Sequence, residues 1–108
     1  MRPKLTSLTR KRLPVFREFL VFLGRVGRYP TGLELAEILG RSTHATWYAL
    51  RALVQEGVLA RQGVRYSLTP EGVDLALSLG DTVWREDDEV QKALRLLVGA
   101  YAAVEDGR

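Results

Sequence analysis

Apolar residues between positions 13 and 26 recur at the spacing of an amphipathic helix. Five of them lie three or four residues apart and share one helical face, namely Leu13, Phe16, Leu20, Leu23 and Val26. Phe19 and Phe22 widen this face. Pro14 suits the first turn of a helix, so the pattern predicts a first helix that begins near Leu13 and ends at Tyr29-Pro30.

A second, shorter helix is predicted between Thr31 and Gly40. Thr31 and Glu34 match a capping box, in which each side chain accepts a hydrogen bond from a free backbone N–H of the first turn. Gly40 is expected to end the helix, because glycine adopts the left-handed conformation at little cost. The predicted buried face consists of Leu35, Ile38 and Leu39.

Only Arg41 separates Gly40 from Ser42, which is a good N-cap for a third helix. This helix is predicted to run from Thr43 to about Glu56, with Gly57 closing it. Its predicted inner stripe is a set of small and aliphatic residues, Ala45, Ala49, Leu50, Leu53 and Val54.

The pattern changes after Gly57 to short runs typical of strands. Val58–Arg61 and Val64–Leu68 flank a tight turn at Gln62-Gly63, which predicts a β-hairpin. Thr69 then serves as the predicted N-cap of a fourth helix, with Pro70 and Glu71 in its first turn. This helix is expected to bury its small and branched residues and to stop at Gly80, its inner positions being Val73, Ala76 and Leu77.

Residues 81–108 contain another helical pattern. Its apolar positions are Val90, Ala93, Leu94, Leu97, Val98, Tyr101 and Val104, and the acidic run Glu86–Glu89 falls just before or within its first turn, where the helix dipole favours negative charge. Such a stripe needs a partner surface. It can pack on the first helix of the same chain, but the interpretation we favour is a homodimer through Val90, Leu94, Leu97 and Tyr101.

The order of predicted elements defines a fold class that is mostly α with a small β-hairpin (α+β). Two helices joined by a tight turn form a helix-turn-helix, whose second helix enters the major groove of DNA, and a hairpin directly after it is a wing. We therefore predict a basic N-terminal arm over 1–12, a winged helix-turn-helix domain over 13–80 and an extra C-terminal helix over 81–108.

Composition narrows the possible functions. The chain has 108 residues, enough for one domain, and 46% of them are hydrophobic. It has no cysteine, which excludes disulfides and thiolate zinc sites and favours a cytoplasmic protein. Residues 1–65 hold 12 Lys and Arg against 4 Asp and Glu, whereas residues 66–108 hold 4 against 9. The net charge of +3 is thus the sum of +8 and −5, and the first part suits a polyanion such as DNA.

Several short motifs resemble known DNA-binding families. The stretch from Leu8 to Leu68 resembles the DNA-binding domain of LexA-type repressors, with matching features at Leu8-Thr9, Pro30-Thr31, Ile38-Leu39-Gly40 and Arg41-Ser42. Leu50-x-x-Leu53 followed by Glu56-Gly57-Val58-Leu59 is typical of winged-helix regulators. Residues 66–72 resemble the strand-to-helix junction of MarR-like and PadR-like regulators. The chain is too short for the self-cleaving protease domain of LexA, so the resemblance does not imply that activity.

The residues predicted to contact DNA lie on the third helix and the hairpin: Ser42, Thr43, His44, Thr46, Trp47, Arg51, Arg61 and Arg65. Ser42 and Thr43 precede or open the helix, where free N–H groups bind phosphate. His44 and Thr46 are expected to read base edges, and the three arginines to contact phosphate or the minor groove. The resemblance to LexA-type domains implies specificity positions at Ser42, His44, Ala45, Trp47 and Tyr48.

Each of these predictions has a structural alternative. Ser42 caps a helix whether or not it contacts DNA, and His44 can be a solvated surface residue. At least one of Trp47 and Tyr48 is expected to pack into the core, and the prediction is that Tyr48 does. Arg61 and Arg65 can be edge-strand charges that discourage aggregation.

The function predicted from these residues is sequence-specific binding of double-stranded DNA by a transcription regulator. The alternative is a winged-helix adaptor that binds a transcription or replication protein, which an exposed Trp47-Tyr48 pair would favour. An enzyme is not predicted, because the sequence offers no nucleophile–base pair, metal-ligand cluster or phosphate-binding glycine loop. Neither a cofactor nor a metal is expected, and the run Glu86–Glu89 is interpreted as a solvated helix start.

Overall fold

A computed structural model describes the backbone of residues 10–105 and the side chains of residues 10–99. Between residues 13 and 105 the chain forms five helices and one two-stranded antiparallel hairpin, which confirms the predicted α+β class. The elements are α1 (Leu13–Val26), α2 (Gly32–Leu39), α3 (Thr43–Gln55), β1 (Leu59–Gln62), β2 (Arg65–Leu68), α4 (Pro70–Gly80) and α5 (Asp88–Glu105). None of the described helices is long and apolar enough to cross a membrane. Most of the predicted arm over 1–12 lies outside the described residues.

Helix α1 has the predicted start and an earlier end. Pro14 lies in its first turn, and Gly27 closes the helix with a φ of 85° and an N–H that donates to the carbonyl of Leu23. The predicted end at Tyr29-Pro30 was therefore three residues too late. Val26, placed on the buried face by its spacing, is 52% exposed because it lies in the last turn, beyond the core.

Helix α2 begins and ends as its capping signals predict. The Thr31 hydroxyl accepts a hydrogen bond from Glu34 N at 3.2 Å, and the Glu34 carboxylate accepts one from Thr31 N at 2.9 Å. Gly40 ends the helix with a φ of 64°. On the predicted inner face Leu35 is buried and Leu39 is half-buried, but Ile38 is exposed, because no described element covers that side of the short helix.

The buried face of α3 is rotated relative to the predicted one. Thr46, Ala49, Leu50 and Leu53 follow the spacing of one helical face and are buried, whereas Ala45 is exposed. Thr46 has no exposed surface, and its hydroxyl donates a hydrogen bond to the carbonyl of Ser42 at 3.0 Å. The prediction that Thr46 faces DNA was wrong. The whole side chain is buried, and its hydroxyl donates to the carbonyl of Ser42 one helical turn earlier.

The hairpin turns one residue later than predicted. Gln62 pairs with Arg65, so Gly63 and Val64 form the two-residue loop rather than Gln62-Gly63. Gly63 has a φ of 64° and Val64 a negative φ, which is the pattern of a type II′ turn. The hairpin is also joined to the start of α2, because Arg65 forms an isolated antiparallel bridge with Thr31.

Thr69 joins the hairpin to α4 as the predicted N-cap. Its hydroxyl oxygen accepts a hydrogen bond from Gly72 N at 2.9 Å. The same hydroxyl lies within donor distance of the carbonyls of Gly57 and Val58, which immediately precede β1. The end of α3, both strands and the start of α4 are thus tied together at one point.

Helix α5 packs on α1 and α4 of its own chain. It begins at Asp88, after a turn over residues 81–86 in which Trp84 is buried with its ring 5.9 Å from that of Phe16. The apolar side chains of its first three turns belong to the same core as those of α1 to α4, namely Val90, Ala93, Leu94 and Leu97.

This packing corrects the predicted dimer surface. Val90, Leu94 and Leu97 are at most 7% exposed, so they cannot also face a second subunit, and that part of the prediction was wrong. The side chains of Tyr101 and Val104 lie outside the described residues. Val98, in contrast, is exposed.

Candidate nucleic-acid interface

One side of α3 projects away from the core and carries the candidate base-reading side chains. Thr43, His44, Tyr48 and Arg51 are exposed, and Trp47 is half-buried at the edge of the same face. Ser42 precedes them as the N-cap, its hydroxyl accepting a hydrogen bond from Ala45 N at 3.1 Å. The capping role of Ser42 is confirmed, and its own N–H and those of Thr43 and His44 belong to the helix start, where an anion is favoured.

The aromatic side chains of α3 form a surface cluster. The His44 ring meets the edge of Tyr48 at a centroid distance of 4.8 Å, and Tyr48 meets Trp47 at 5.4 Å. The guanidinium of Arg51 lies over the Trp47 ring, 5.2 Å from its centroid. These contacts restrict the rotamers of all four side chains, so the surface is partly organised before any partner binds.

Tyr48 is 53% exposed, so the prediction that it packs into the core was wrong. Trp47 instead lies partly inward, towards Leu50, Tyr66 and the hairpin. The reason is the rotation of α3: with Thr46 and Leu50 at the centre of the buried face, Trp47 falls at its margin and Tyr48 on the outside. Local spacing left the choice between the two rings open.

The hairpin presents two arginines beside α3. Arg61 and Arg65 are both exposed, and the Nε atom of Arg61 donates to the carbonyl of Gly63 at 2.9 Å across the turn. Between hairpin and helix lies a groove of about 390 Å³, bordered by Trp47, Leu33 and Val64. Leu33 and Val64 are 59% and 72% exposed, so the rim of this groove is apolar.

Within residues 10–99, no carboxylate neutralises the positive charge of α3 and the hairpin. Residues 41–68 contain four arginines and a single acidic residue, Glu56. Among the described residues no ion pair involves Arg41, Arg51, Arg61 or Arg65. This side of the molecule therefore carries a positive potential that an anionic partner can use.

The basic residues of α1, in contrast, are used within the fold. Arg17 binds Asp87 at 2.7 Å and Arg25 binds Glu89 at 2.7 Å, which joins α1 to the start of α5. The hydrogen bond from Arg17, more than its charge, lowers the pKa of Asp87 below its usual range, and its partners raise the pKa of Arg17. The acidic run before α5 thus serves as counter-charge for α1.

Arg28 and Glu34 form a further pair between α1 and α2. Two hydrogen bonds join them, at 2.9 and 2.6 Å, while the guanidinium also lies over the ring of Phe22. Together with the backbone N–H of Thr31, Arg28 lowers the pKa of Glu34 to about 2. The pair fixes the start of α2, and with it the position of α3.

Arg41 is a candidate contact that the sequence-based prediction did not include. It is exposed in the turn between α2 and α3, immediately before the N-cap of α3. Its signal in the sequence is a cation directly before an N-cap, which places positive charge beside the free N–H groups of the helix.

The described residues contain no group of three or more His, Asp and Glu side chains placed to hold a metal ion. Asp87, within the acidic run over 86–89, is bound to Arg17 instead. Comparisons with protein-family models, with curated proteins and with solved structures find no match to this chain.

Proposed function

We propose that this protein is a winged helix-turn-helix protein that binds double-stranded DNA sequence-specifically and regulates transcription. In this proposal α2, the turn at Gly40-Arg41 and α3 form the helix-turn-helix, and the hairpin is the wing. The bridge between Thr31 and Arg65 supports this assignment, because it docks the hairpin beside the helix pair.

The observation that carries the proposal is the distribution of charge. Helix α3 contains no acidic residue, and the only cations of residues 41–68 are four exposed arginines without carboxylate partners among the described residues. Phosphate contacts by arginine supply much of the affinity of a protein for DNA. A surface that contacts only solvent gains no stability from a concentration of charges of one sign.

Each side chain has a distinct role in the proposed complex. His44 and Tyr48, on the exposed face of the first two turns, contact base edges in the major groove, while Ala45 offers its methyl group to a thymine. Arg41 and Arg51 contact phosphates on either side of the helix. Arg61 and Arg65 contact the backbone or minor groove from the wing.

Dimerisation remains part of the proposal on a different surface. Leu96 is 47% exposed on α5, and it is available to a second subunit, whereas Leu94 and Leu97 are not. A two-fold dimer would present two copies of α3 to a palindromic site, with half-sites about one helical turn apart.

A protein partner is the second candidate, and the exposure of Tyr48 favours it. Tyr48 is 53% exposed on α3, and Trp47, Leu33 and Val64 border the groove beside this helix with apolar surface. Aromatic residues are enriched at protein interfaces, where they contribute most of the binding energy. If the partner is a protein, the affinity should depend only weakly on salt, because burial of apolar surface brings few charges together.

Selection of bound sequences from random duplexes, followed by a salt titration on the selected duplex, tests the proposal. We expect a defined consensus and an affinity that falls steeply with salt. Arg51→Gln should weaken binding similarly on all duplexes and make the salt dependence of log K shallower by about one unit. Arg95→Gln is the matched control, because Arg95 is an exposed arginine on α5.

Two outcomes would contradict the proposal. Selection that yields no consensus, with affinity insensitive to salt, would exclude a sequence-specific DNA-binding protein. Equal losses from Arg51→Gln and Arg95→Gln would show that binding depends on net charge rather than on the α3 face.

A further inference from the structure

The groove between α3 and the hairpin has room for one planar ring system. Its volume of about 390 Å³ lies near the lower end of the range of about 300–1,000 Å³ found for small-molecule sites in proteins. A Cβ atom on Gly32 would lie 3.7 Å from both Leu50 and Tyr66, which border the groove, so a side chain at this position would occupy part of it. Gly32 has a negative φ, so its backbone does not require glycine. What this glycine contributes is free space.

One wall of the groove is an aromatic ring that is available for stacking. Trp47 is half-buried and borders the groove, whereas Arg51, whose guanidinium lies over the same ring, borders a separate and smaller cavity. Arg51 therefore leaves the groove side of the indole uncovered. Leu33 and Val64 form the exposed apolar rim. An aromatic face between apolar edges favours a flat ring as its occupant.

The charge around the groove is positive. Within the described lining, the only charged side chain is Arg61, whose Nε atom donates to the carbonyl of Gly63 and so holds the guanidinium against the hairpin turn. Arg41, Arg51 and Arg65 are exposed on the elements that flank the groove. An apolar side chain of a protein partner has no use for these charges. A strand of DNA uses both features, because its bases are planar and its phosphates are anionic.

We infer that the groove binds single-stranded DNA by taking one unpaired base against the indole of Trp47, while Arg61 holds a neighbouring phosphate. Every base has a π-face, so such stacking tolerates any sequence. Leu33 and Val64 cover the edges of the bound base. This activity goes beyond the proposed function, in which His44 and Tyr48 read base pairs that stay stacked in a duplex.

The groove distinguishes unpaired from paired DNA. A base within a duplex is covered on both faces by its neighbours and held by its pairing partner, so it cannot reach Trp47 without leaving the stack. Arg61 belongs to both modes of binding, so a single strand and a duplex would compete for this side of the molecule. The competition rests on the proposed function, whereas the single-strand site does not.

The test compares two single strands that differ only in their bases. A dye-labelled thymidine octamer, which cannot pair with itself, is titrated with the full chain and followed by fluorescence anisotropy. The matched ligand is an abasic octamer with the same phosphates. We expect a dissociation constant between about 10⁻⁴ and 10⁻⁶ M for the thymidine octamer at physiological salt, and at least about fivefold weaker binding of the abasic one, because stacking is lost. The salt dependence of log K should be the same for both.

Intrinsic tryptophan emission of the unchanged chain locates the base. The unlabelled thymidine octamer should quench Trp47, because a stacked base quenches indole fluorescence, whereas the abasic octamer should not. The second tryptophan, Trp84, is buried beside Phe16 and gives a constant background. This measurement does not depend on the folding of a variant.

Two variants separate stacking from charge. Trp47→Leu should weaken the thymidine octamer at least about fivefold and leave the abasic octamer unchanged. Val64→Ser at the rim should also weaken only the thymidine octamer, whereas Val83→Ser, at a valine of similar exposure in the turn before α5, should alter neither. Arg61→Gln should weaken both octamers equally and make the salt dependence of log K shallower by about 0.7, the value for one phosphate of a single strand.

Equal affinities for the thymidine and abasic octamers, or unchanged Trp47 emission at saturation, would overturn the proposed base site. Equal affinities are also what a groove for an apolar side chain of a protein would give. A chain that binds the selected duplex but does not distinguish the octamers keeps the proposed function and loses this site. A chain that prefers the thymidine octamer but selects no duplex keeps the site and loses the proposed function.

Discussion

The backbone of Gly72 lies directly against the carbonyl group of Val58, so closely that a Cβ atom on Gly72 would overlap the Val58 oxygen. The same carbonyl accepts a hydrogen bond from Thr69 N at 3.2 Å. The first turn of α4 is thereby pressed onto the residue that precedes β1. This contact sets the direction in which the hairpin leaves the core, and with it the position of Arg61 and Arg65.

Gly72→Ala should therefore lower the free energy of unfolding by about 1–3 kcal/mol, because the added methyl forces α4 away from the hairpin. Chemical denaturation checks this expectation. The control is Gly99→Ala on α5, where a Cβ atom meets nothing within 4 Å, and alanine should stabilise the helix by about 0.5–1 kcal/mol. If Gly72→Ala and Gly99→Ala both lowered the free energy of unfolding, or both raised it, the effect would not be specific to the contact between Gly72 and Val58.

Substitutions at Thr46 and His44 should have separable effects. Thr46→Val removes a buried hydroxyl that donates to Ser42, so it should cost about 1 kcal/mol of stability and leave the sequence preference for DNA unchanged. His44→Ala should leave stability within about 0.5 kcal/mol and relax the choice of one or two base pairs. Denaturation and binding to a panel of single-base variants of the selected duplex measure the two effects. A changed preference in Thr46→Val would place Thr46 at the interface after all.

Acid should destabilise the protein through Glu34. Arg28 and Thr31 lower its pKa to about 2 in the folded chain, from an ordinary value of 4.5, so its contribution is complete above about pH 4.5 and is lost as the pH falls towards 2. The Glu34→Gln variant has no titratable group at this position. Its free energy of unfolding should therefore fall less between pH 5 and 2.5 than that of the unchanged chain. Part of the decrease in acid should remain in this variant, because Arg17 also lowers the pKa of Asp87.

The control for this pH series is Glu37→Gln, since Glu37 is exposed on the same helix and forms no ion pair with a described residue. Its unfolding free energy should keep the full decrease with acid. A Glu34→Gln variant with an undiminished decrease would contradict the link between Glu34 and Arg28.

Leu94 and Leu96 should differ in stability and in association. Leu94, on α5, is buried against Gly80 of α4, so Leu94→Ala should lower the free energy of unfolding by about 2–4 kcal/mol. Leu96→Ala should cost much less, because that side chain is nearly half exposed, but it should weaken any dimer through α5. Equilibrium sedimentation of the Leu96 variant against the unchanged chain measures the second effect. A large loss of stability from Leu96→Ala would contradict the packing described for α5.

Where the deciding contacts are local, the sequence alone predicted the structure. Three such features are the capping box of Thr31 and Glu34, the end of α2 at Gly40 and the N-cap at Thr69. Each joins residues at most four apart, so each can be predicted from about one helical turn of sequence. The element order and the α+β class follow from these signals. The candidate interface was predicted in the same way, from two helices joined by a tight turn and followed by a hairpin.

The tertiary structure decided which faces are covered, and by what. Spacing placed Ala45 inside and Thr46 outside, but the position of α3 on α1 and α2 reversed them and left Tyr48 exposed. An apolar stripe such as that of Val90 and Leu94 indicates only that something covers it. A helix of the same chain and a second subunit bury such a stripe with the same free energy per unit area, so only the three-dimensional packing could assign it to α1 and α4.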